Sequence, residues 1–317
     1  MLTHRLNGRD VSVIGLGTAH YGGRIVKSLA FDQMDAFVAA GGNLIDTARV
    51  YGDFVTPRTG ESEKIVGQWM EERGNRKQIF LSTKGGHPPF DRMSRSRLSP
   101  REIEDDLYES LADLRCKFVD VYFLHRDDES RAVEEIVDTL ESFAAEGLIG
   151  MYGVSNWKTE RILEANRYAA SRGYHGIGVN QPQFSLMKPN TLGDKTLVRM
   201  DRIMHDMHCR FSMPCFCFSS QAEGFLAKMI SGKPVGPETV TKYDSAVNRA
   251  IIEKVRNMAE EGGPGAEEIS VSFLTCQPFP CFALCATFGT DRIHVWDKLG
   301  NATLPGSVIQ EFNELSL

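Results

Sequence analysis

The sequence lacks the features that mark membrane and nucleic-acid-binding proteins. No apolar run is long enough to form a membrane-spanning helix. The formal net charge is −6, which argues against a nucleic-acid partner because such binding needs a positively charged surface. The N-terminal Met-Leu-Thr-His-Arg starts no apolar stretch, so we expect no signal peptide.

Cysteine occurs without any recognisable pairing pattern. The seven cysteines are odd in number and include no Cys-x-x-Cys pair. His205, His208 and Cys209 lie close together in the sequence, but their spacing matches none of the common zinc motifs. Cys215 and Cys217 would point to the same face if they lay on a strand. We expect reduced thiols in a cytoplasmic protein, with no metal site and no disulfide.

Short apolar runs alternate with amphipathic stretches along the chain. Its 317 residues suit two domains or one α/β barrel with insertions. No break in composition marks a second domain, so we predict one domain over residues 1–317. Several runs are almost continuously apolar, as is typical of parallel strands buried on both faces. The predicted strands are Val11–Leu16, Asn43–Thr47, Ile79–Thr83, Val119–Leu124, Ile149–Val154, Gly176–Asn180, Phe211–Phe218 and Phe282–Phe288.

The intervening stretches carry helix signals. Ser99 followed by Pro100 predicts an N-cap and a first helical residue, and Gly147 is a typical stop. Eight strands alternating with helices predict a (β/α)8 TIM barrel, and a doubly wound sheet is the main alternative. Gly15-Leu-Gly17 starts like a dinucleotide fingerprint, but His20 occupies the third glycine position. We therefore expect no Rossmann crossover.

Four ionisable residues follow the ends of different predicted strands. Asp46, Lys84 and His125 each end an apolar run, and Tyr51 lies five residues after Asp46. Taken singly, they are compatible with a helix cap, a solvated lysine, a structural histidine and a loop aromatic. Taken together, they would meet at the C-terminal face of the strands, where barrel enzymes carry their sites. A carboxylate, a phenol, an ammonium and an imidazole make a proton-donating site.

This set and its order resemble the aldo-keto reductase family, whose members reduce carbonyls with a nicotinamide cofactor. The resemblance implies that Tyr51 donates the proton, that Lys84 and Asp46 tune it, and that His125 orients the substrate. A phenol with an ordinary pKa of ~10 is a weak acid, and a neighbouring cation would lower that value. A small carbonyl substrate, NADPH rather than NADH, and a monomer or homo-oligomer are the corresponding expectations.

The resemblance covers nearly the whole chain. It implies that Ser155, Asn156 and Gln181 hold the nicotinamide carboxamide, and that Phe184 stacks on the ring. Ser219 and Gln221, in the loop after the seventh strand, would wrap the pyrophosphate.

The segment after the eighth strand departs from the family pattern. Asp297-Lys298 stands where relatives have an acid-amide pair. Arg292 could bind a 2′-phosphate because guanidinium matches its shape, although the neighbouring Asp291 would repel it.

Two further segments are expected near the site. The loop from Lys84 to Pro100 should stand beside the substrate mouth, where aromatic residues could line a pocket. Residues 221–247 could form a flap over the cofactor. The aromatic candidates are Tyr21, Phe54, Phe90 and Trp157.

Two other functions fit parts of the pattern. One is a cofactor-binding, redox-sensing regulatory subunit of the same fold. The other is an aldolase that uses Lys84 as a Schiff-base nucleophile, against which the order of family-like segments argues.

Overall fold

Eight parallel strands close into a barrel. The computed structural model describes residues 1–53 and 60–317. A two-stranded hairpin precedes the barrel, in which each strand from β3 onward pairs with the next and the last pairs with β3. The predicted (β/α)8 barrel is confirmed, and the doubly wound sheet is excluded. The strands are β1 Thr3–Leu6, β2 Arg9–Ser12, β3 Ile14–Gly17, β4 Leu44–Asp46, β5 Phe80–Gly85, β6 Val119–Leu124, β7 Ile149–Ser155, β8 Val179–Gln181, β9 Cys215–Cys217 and β10 Cys281–Cys285.

Helices connect the strands and surround them. The predicted start after Ser99 is confirmed, because its hydroxyl accepts a hydrogen bond from the Glu102 amide and Pro100 is the first helical residue. Within the described residues no helix is both long and apolar enough to span a bilayer. The helices are α1 Lys27–Ala39, α2 Glu61–Arg73, α3 Pro100–Asp113, α4 Val133–Ala145, α5 Thr159–Arg172, α6 Arg202–Phe211, α7 Phe225–Ser231, α8 Pro237–Tyr243, α9 Ala246–Glu260, α10 Ala266–Thr275, α11 Trp296–Asn301 and α12 Gly306–Ser316.

The first predicted strand, Val11–Leu16, is two elements rather than one. Its start belongs to the β1–β2 hairpin and its end to β3. Asn7 and Gly8 have φ values of 45° and 74°, the left-handed geometry of a tight hairpin turn, and the Asn-Gly pair is a sequence signal for it. Leu6 and Val11 pack into the same cluster as the side chains inside the barrel. The hairpin therefore closes the end of the barrel opposite the candidate site.

The segment predicted as a flap, residues 221–247, is largely helical. After a short 3₁₀ turn it forms α7 and α8. Phe225 of α7 stacks on Tyr243 of α8 with ring centroids 5.8 Å apart, and both side chains are buried. The segment is thus held by its own aromatic packing and is not an irregular loop.

A carboxyl group is buried between the barrel and α2. Glu63 is 0% exposed, and its Oε1 accepts a 2.5 Å hydrogen bond from the Thr83 hydroxyl. Arg49 is 3.7 Å from Oε2. Burial raises the pKa of Glu63 from 4.5 to about 7, because desolvation outweighs these partners.

Glu63 should therefore make the protein less stable as pH rises. The unfolded carboxyl loses its proton near pH 4.5 and the folded one near pH 7, so the free energy of unfolding falls across this window, by about 3 kcal/mol. Urea unfolding at several pH values should show this slope in the wild type and a flatter one in Glu63→Gln. Glu61→Gln, on the exposed side of the same helix, is the control. A slope that Glu63→Gln leaves unchanged would contradict the assignment.

Candidate active site

The four singled-out side chains lie together at the C-terminal end of the barrel. Asp46 ends β4, Lys84 lies near the end of β5, and His125 directly follows β6. The Lys84 ammonium lies 2.6 Å from Asp46 Oδ2 and 3.2 Å from Tyr51 Oη. The rings of Tyr51 and His125 meet edge to face, with centroids 5.9 Å apart. The site therefore joins a phenol to a buried cation on one side and to an imidazole on the other.

Lys84 keeps its charge although it is completely buried. Burial alone lowers the pKa of this ammonium, but Asp46 and Tyr51 outweigh that effect and the net direction is upward. Lys84 also donates a 2.7 Å hydrogen bond to the Thr47 carbonyl. Asp46 Oδ1 is occupied separately by the Ser82 hydroxyl at 2.7 Å. The ion pair is thus fully hydrogen-bonded, which a buried pair requires.

Tyr51 does not have the lowered pKa that the sequence argument anticipated. Burial raises its pKa, and the opposing effect of Lys84 is the smaller of the two. The expectation of a net lowering was incomplete because it counted the cation and omitted desolvation. The phenol is therefore protonated at neutral pH and can act as a proton donor.

His125 is a neutral imidazole. Burial, followed by His87 and Arg126, holds its pKa well below 6.5. Its Nδ1 is buried and has no hydrogen-bond partner within the described ranges. The uncharged ring can donate only one hydrogen bond.

Two residues near the site were missed by the sequence argument. The His87 ring lies 4.8 Å from that of His125, and burial lowers its pKa to about 4. Arg126 donates a 2.9 Å hydrogen bond to the His125 carbonyl and lies 3.3 Å from Asp194. The sequence placed both residues close to the predicted site, since Arg126 adjoins His125 and His87 follows the glycine pair after Lys84.

The three polar residues predicted to hold a carboxamide lie beside the tetrad. Ser155 donates a 2.7 Å hydrogen bond to the Gln181 carbonyl. Asn156 donates to the His125 carbonyl at 3.1 Å, and Gln181 Nε2 donates to Asp46 Oδ1 at 3.1 Å. The ends of β7 and β8 are therefore linked to the ends of β4 and β6 by side-chain hydrogen bonds.

The predicted aromatic residues divide into buried and exposed ones. Phe184 is 2% exposed, and its ring packs edge-on against Phe273 at 5.3 Å. Trp157 is 0% exposed, and its indole donates to the Arg126 carbonyl. It therefore packs against the segment that follows β6 and does not line an open pocket. Tyr21 is buried as well, whereas Phe90 is 49% exposed. Phe54 lies outside the described residues.

The loop after β9 has an unusual backbone. Ser219 is exposed and has φ 52°, and three consecutive residues, Ala222, Glu223 and Gly224, have φ values of 47°, 57° and 76°. Gln221 Nε2 is buried without a partner among the described residues. Left-handed non-glycine residues are strained and are often found at ligand clamps. Successive backbone amides in such turns can form an anion-binding concavity.

The loop after β10 is tied to neighbouring helices. Arg292 is paired with Glu267 of α10, and Lys298 lies 2.9 Å from Glu268. Gln33 of α1 donates a 3.0 Å hydrogen bond to the Thr287 carbonyl. The cation predicted to bind a phosphate is thus already engaged by a carboxylate.

Comparison with known proteins supports the same fold and family. The model of the Aldo/keto reductase family matches residues 13–316. Aryl-alcohol dehydrogenase [NADP(+)] of Phanerodontia chrysosporium is 32% identical over 183 residues, which are 52% of this chain and 46% of that protein. Norsolorinic acid reductase stcV of Emericella nidulans is 33% identical over 192 residues, 54% of this chain and 46% of the relative. The chain spans about half the length of these curated relatives.

A solved structure extends the fold comparison to the whole chain. A crystal structure of an aldo-keto reductase from Klebsiella pneumoniae in complex with NADPH matches with a TM-score of 0.73. The match covers 99% of this chain and 95% of the other at 20% identity. At this identity the likeness concerns the fold.

Proposed function

Because the chain belongs to the aldo/keto reductase family, we propose that it reduces a small aldehyde or ketone to the alcohol, with Tyr51 as proton donor. One observation carries the proposal: the Tyr51 hydroxyl lies 3.2 Å from a buried ammonium that is itself paired with Asp46 at 2.6 Å. This arrangement offers a proton and stabilises the anion left when the proton departs.

Each side chain has a separate task in this reaction. A bound nicotinamide would supply a hydride to the carbonyl carbon. Negative charge then grows on the carbonyl oxygen, and Tyr51 gives its proton to that oxygen. Lys84 stabilises the resulting phenolate, while Asp46 fixes Lys84 in place. The neutral His125 donates a hydrogen bond to the same oxygen, an interaction that strengthens as charge develops.

The chain also has residues that fit a nicotinamide dinucleotide. Ser155, Asn156 and Gln181 would hold the carboxamide beside the tetrad, and Phe184 would contact the ring. The Gln221 amide, which has no partner among the described residues, and the left-handed backbone that follows it support a phosphate-binding role for the loop after β9. We propose NADPH as the working cofactor.

The same geometry argues against a Schiff-base aldolase. A nucleophilic lysine must lose its proton, yet Asp46 and Tyr51 raise the pKa of Lys84 above its ordinary value. Lys84 is therefore better suited to stabilising a phenolate than to attacking a carbonyl.

Cofactor oxidation across a panel of aldehydes, ketones and sugars tests the proposal. We expect the isolated chain to oxidise NADPH, followed by near-ultraviolet absorbance, with at least one class of carbonyl. Parallel assays with NADH would compare the cofactors. A chain that binds the cofactor but turns over none of these carbonyls, and that co-purifies with a larger partner, would instead support a redox-sensing regulatory subunit.

Cofactor preference should depend on Arg292 and on its partner Glu267. A charge-assisted guanidinium contact contributes about 1.5–3 kcal/mol, which is roughly ten-fold to a hundred-fold in affinity. We expect Arg292→Ala to weaken NADP+ binding at the lower end of this range and to leave NAD+ binding unchanged, because Glu267 and Asp291 offset part of the contact.

The matched variant is Glu267→Gln, which should free Arg292 and tighten NADP+ binding. Dissociation constants of NADP+ and NAD+, measured by titration of the wild type and both variants, show whether Arg292 binds the 2′-phosphate. If Arg292→Ala weakened both nucleotides equally, or neither, another group such as Lys298 would hold the 2′-phosphate, or NADH would be the working cofactor.

A further inference from the structure

Three cysteine thiols meet on the outer wall of the barrel. The sulfurs of Cys215, Cys217 and Cys281 all lie within 4.8 Å of one another. Cys217 Sγ is 3.6 Å from Cys215 Sγ and 3.2 Å from Cys281 Sγ. All three side chains are 0% exposed. They form a compact group of soft ligands, which we call the trithiol cluster.

The strand register accounts for this cluster. Cys281 is the β-partner of Cys215, and Ala283 is the partner of Cys217. Alternate residues of a strand point to opposite faces, and Phe216 and Phe282 fill the barrel interior. The three cysteines therefore share the opposite face, beneath the surrounding helices. The cluster lies on β9 and β10, away from the tetrad residues on β4, β5 and β6.

Two imidazoles, those of His4 and His205, act electrostatically on Cys281. Within residues 1–53 and 60–317, no lysine or arginine donates a hydrogen bond to the three sulfurs. Burial raises the pKa of Cys215 and Cys217 well above the ordinary thiol value. At Cys281 burial also raises the pKa, but hydrogen bonds with the other two thiols outweigh it and the net direction is downward. Because the cluster is completely buried, a ligand that leaves a net charge on the site would carry a large desolvation cost.

We propose that the trithiol cluster is a binding site for a trivalent thiophilic metalloid, of which arsenite is the simplest. Arsenous acid brings three hydroxyl groups. Three As–S bonds form and three As–O bonds break, and each hydroxyl leaves as water with one proton, which comes from a cysteine thiol or, for a deprotonated Cys281, from solvent. No redox change occurs, and the product is neutral. The bound complex therefore adds no charge to the buried region between the barrel and the helices.

The usual thiolate metals fit this cluster less well. Structural zinc takes four protein ligands, and His205, an adjacent candidate, has both ring nitrogens engaged: Nε2 is 2.9 Å from Gln277 Oε1, and Nδ1 is 3.6 Å from Cys209 Sγ. Three thiolates around a divalent ion leave one negative charge, and around Cu(I) they leave two. Among the described residues no lysine or arginine donates to the sulfurs to offset either charge, so the neutral trivalent complex is favoured.

The burial of the cluster determines how the site should fill. The folded chain must open locally to admit a ligand, so uptake should be slow in the native protein and fast during refolding. Once bound, the metalloid joins β9 to β10. Because it binds the folded state through all three sulfurs, it should raise the thermal midpoint by mass action.

The test uses the full-length reduced protein and sodium arsenite. The protein is incubated in the native state or refolded with arsenite, then desalted and analysed for arsenic content, intact mass and thermal midpoint. We expect one arsenic per chain, a mass consistent with loss of three thiol protons, and a higher midpoint. Cys217→Ala and Cys281→Ala should each lower affinity at least ten-fold. Cys116→Ala and Cys276→Ala, which change partly buried thiols outside the cluster, should bind like the wild type.

Four results would overturn the proposal. The first is refolded wild-type protein that retains no arsenic, and the second is arsenic retention equal to that of the wild type in both cluster variants, when their circular dichroism shows that they are folded. The third is tighter retention of zinc or copper than of arsenic. The fourth is a purified chain in which Cys217 and Cys281 are already joined as a disulfide.

Discussion

Replacement of Tyr51 by phenylalanine is expected to lower kcat by about 10²- to 10⁴-fold, the range that general acid catalysis contributes. The variant retains the aromatic ring, which meets His125 edge to face and lies 4.7 Å from the Lys84 ammonium. It loses only the hydroxyl oxygen that Lys84 contacts at 3.2 Å. The proton donor is thus removed while the surrounding packing is preserved. Because the phenol adds little to cofactor binding, the dissociation constant for the nucleotide should remain close to that of the wild type.

Steady-state turnover and a nucleotide titration, made on the same preparation, separate these two expectations. Tyr168→Phe is the matched control, since it removes a phenol that donates to Asp138 on the outer surface. It should leave both quantities unchanged. If Tyr51→Phe retained turnover within a few-fold of the wild type, another acid would protonate the alkoxide, and His125 would be the first alternative to examine.

The order of the barrel strands could be predicted from the sequence, but the β1–β2 hairpin that closes one end of the barrel could not. Continuous apolar runs placed the eight strands because parallel strands are buried on both faces. The run Val11–Leu16 merged a hairpin strand with a barrel strand, since only Val13 separates them. The Asn7-Gly8 turn signal would have divided them.

The positions of the candidate site residues could be predicted, but their energetics could not. Asp46, Lys84 and His125 stood out because each ended a separate apolar run. The direction of the Tyr51 pKa depends on how much water the folded chain excludes, which spacing does not encode. The burial of Trp157 and the engagement of Arg292 by Glu267 likewise depend on contacts between segments far apart in the sequence.

Replacement of Lys84 by methionine should affect both turnover and stability. The cation lowers the Tyr51 pKa and thereby offsets part of the effect of burial. Without it the phenol becomes a still weaker acid, so the apparent pKa of the catalytic acid in the pH–rate profile should move upward. The variant also leaves Asp46 buried without its ion pair, and loss of one partner of such a pair costs about 3–5 kcal/mol. Asp46→Asn should impair turnover as well, because Lys84 would lose its anionic partner.

The double variant Asp46→Asn/Lys84→Met separates the two effects. It removes both charges of the buried pair, so it should recover much of the stability that Lys84→Met loses, as judged by urea unfolding. It should not recover turnover, because the phenolate still lacks its cation. A double variant that regained both stability and activity would mean that Lys84 serves only to neutralise Asp46. If the pH–rate profile were unchanged in both single variants, neither residue would tune Tyr51, and the proton would have to come from a group whose acidity is independent of this ion pair.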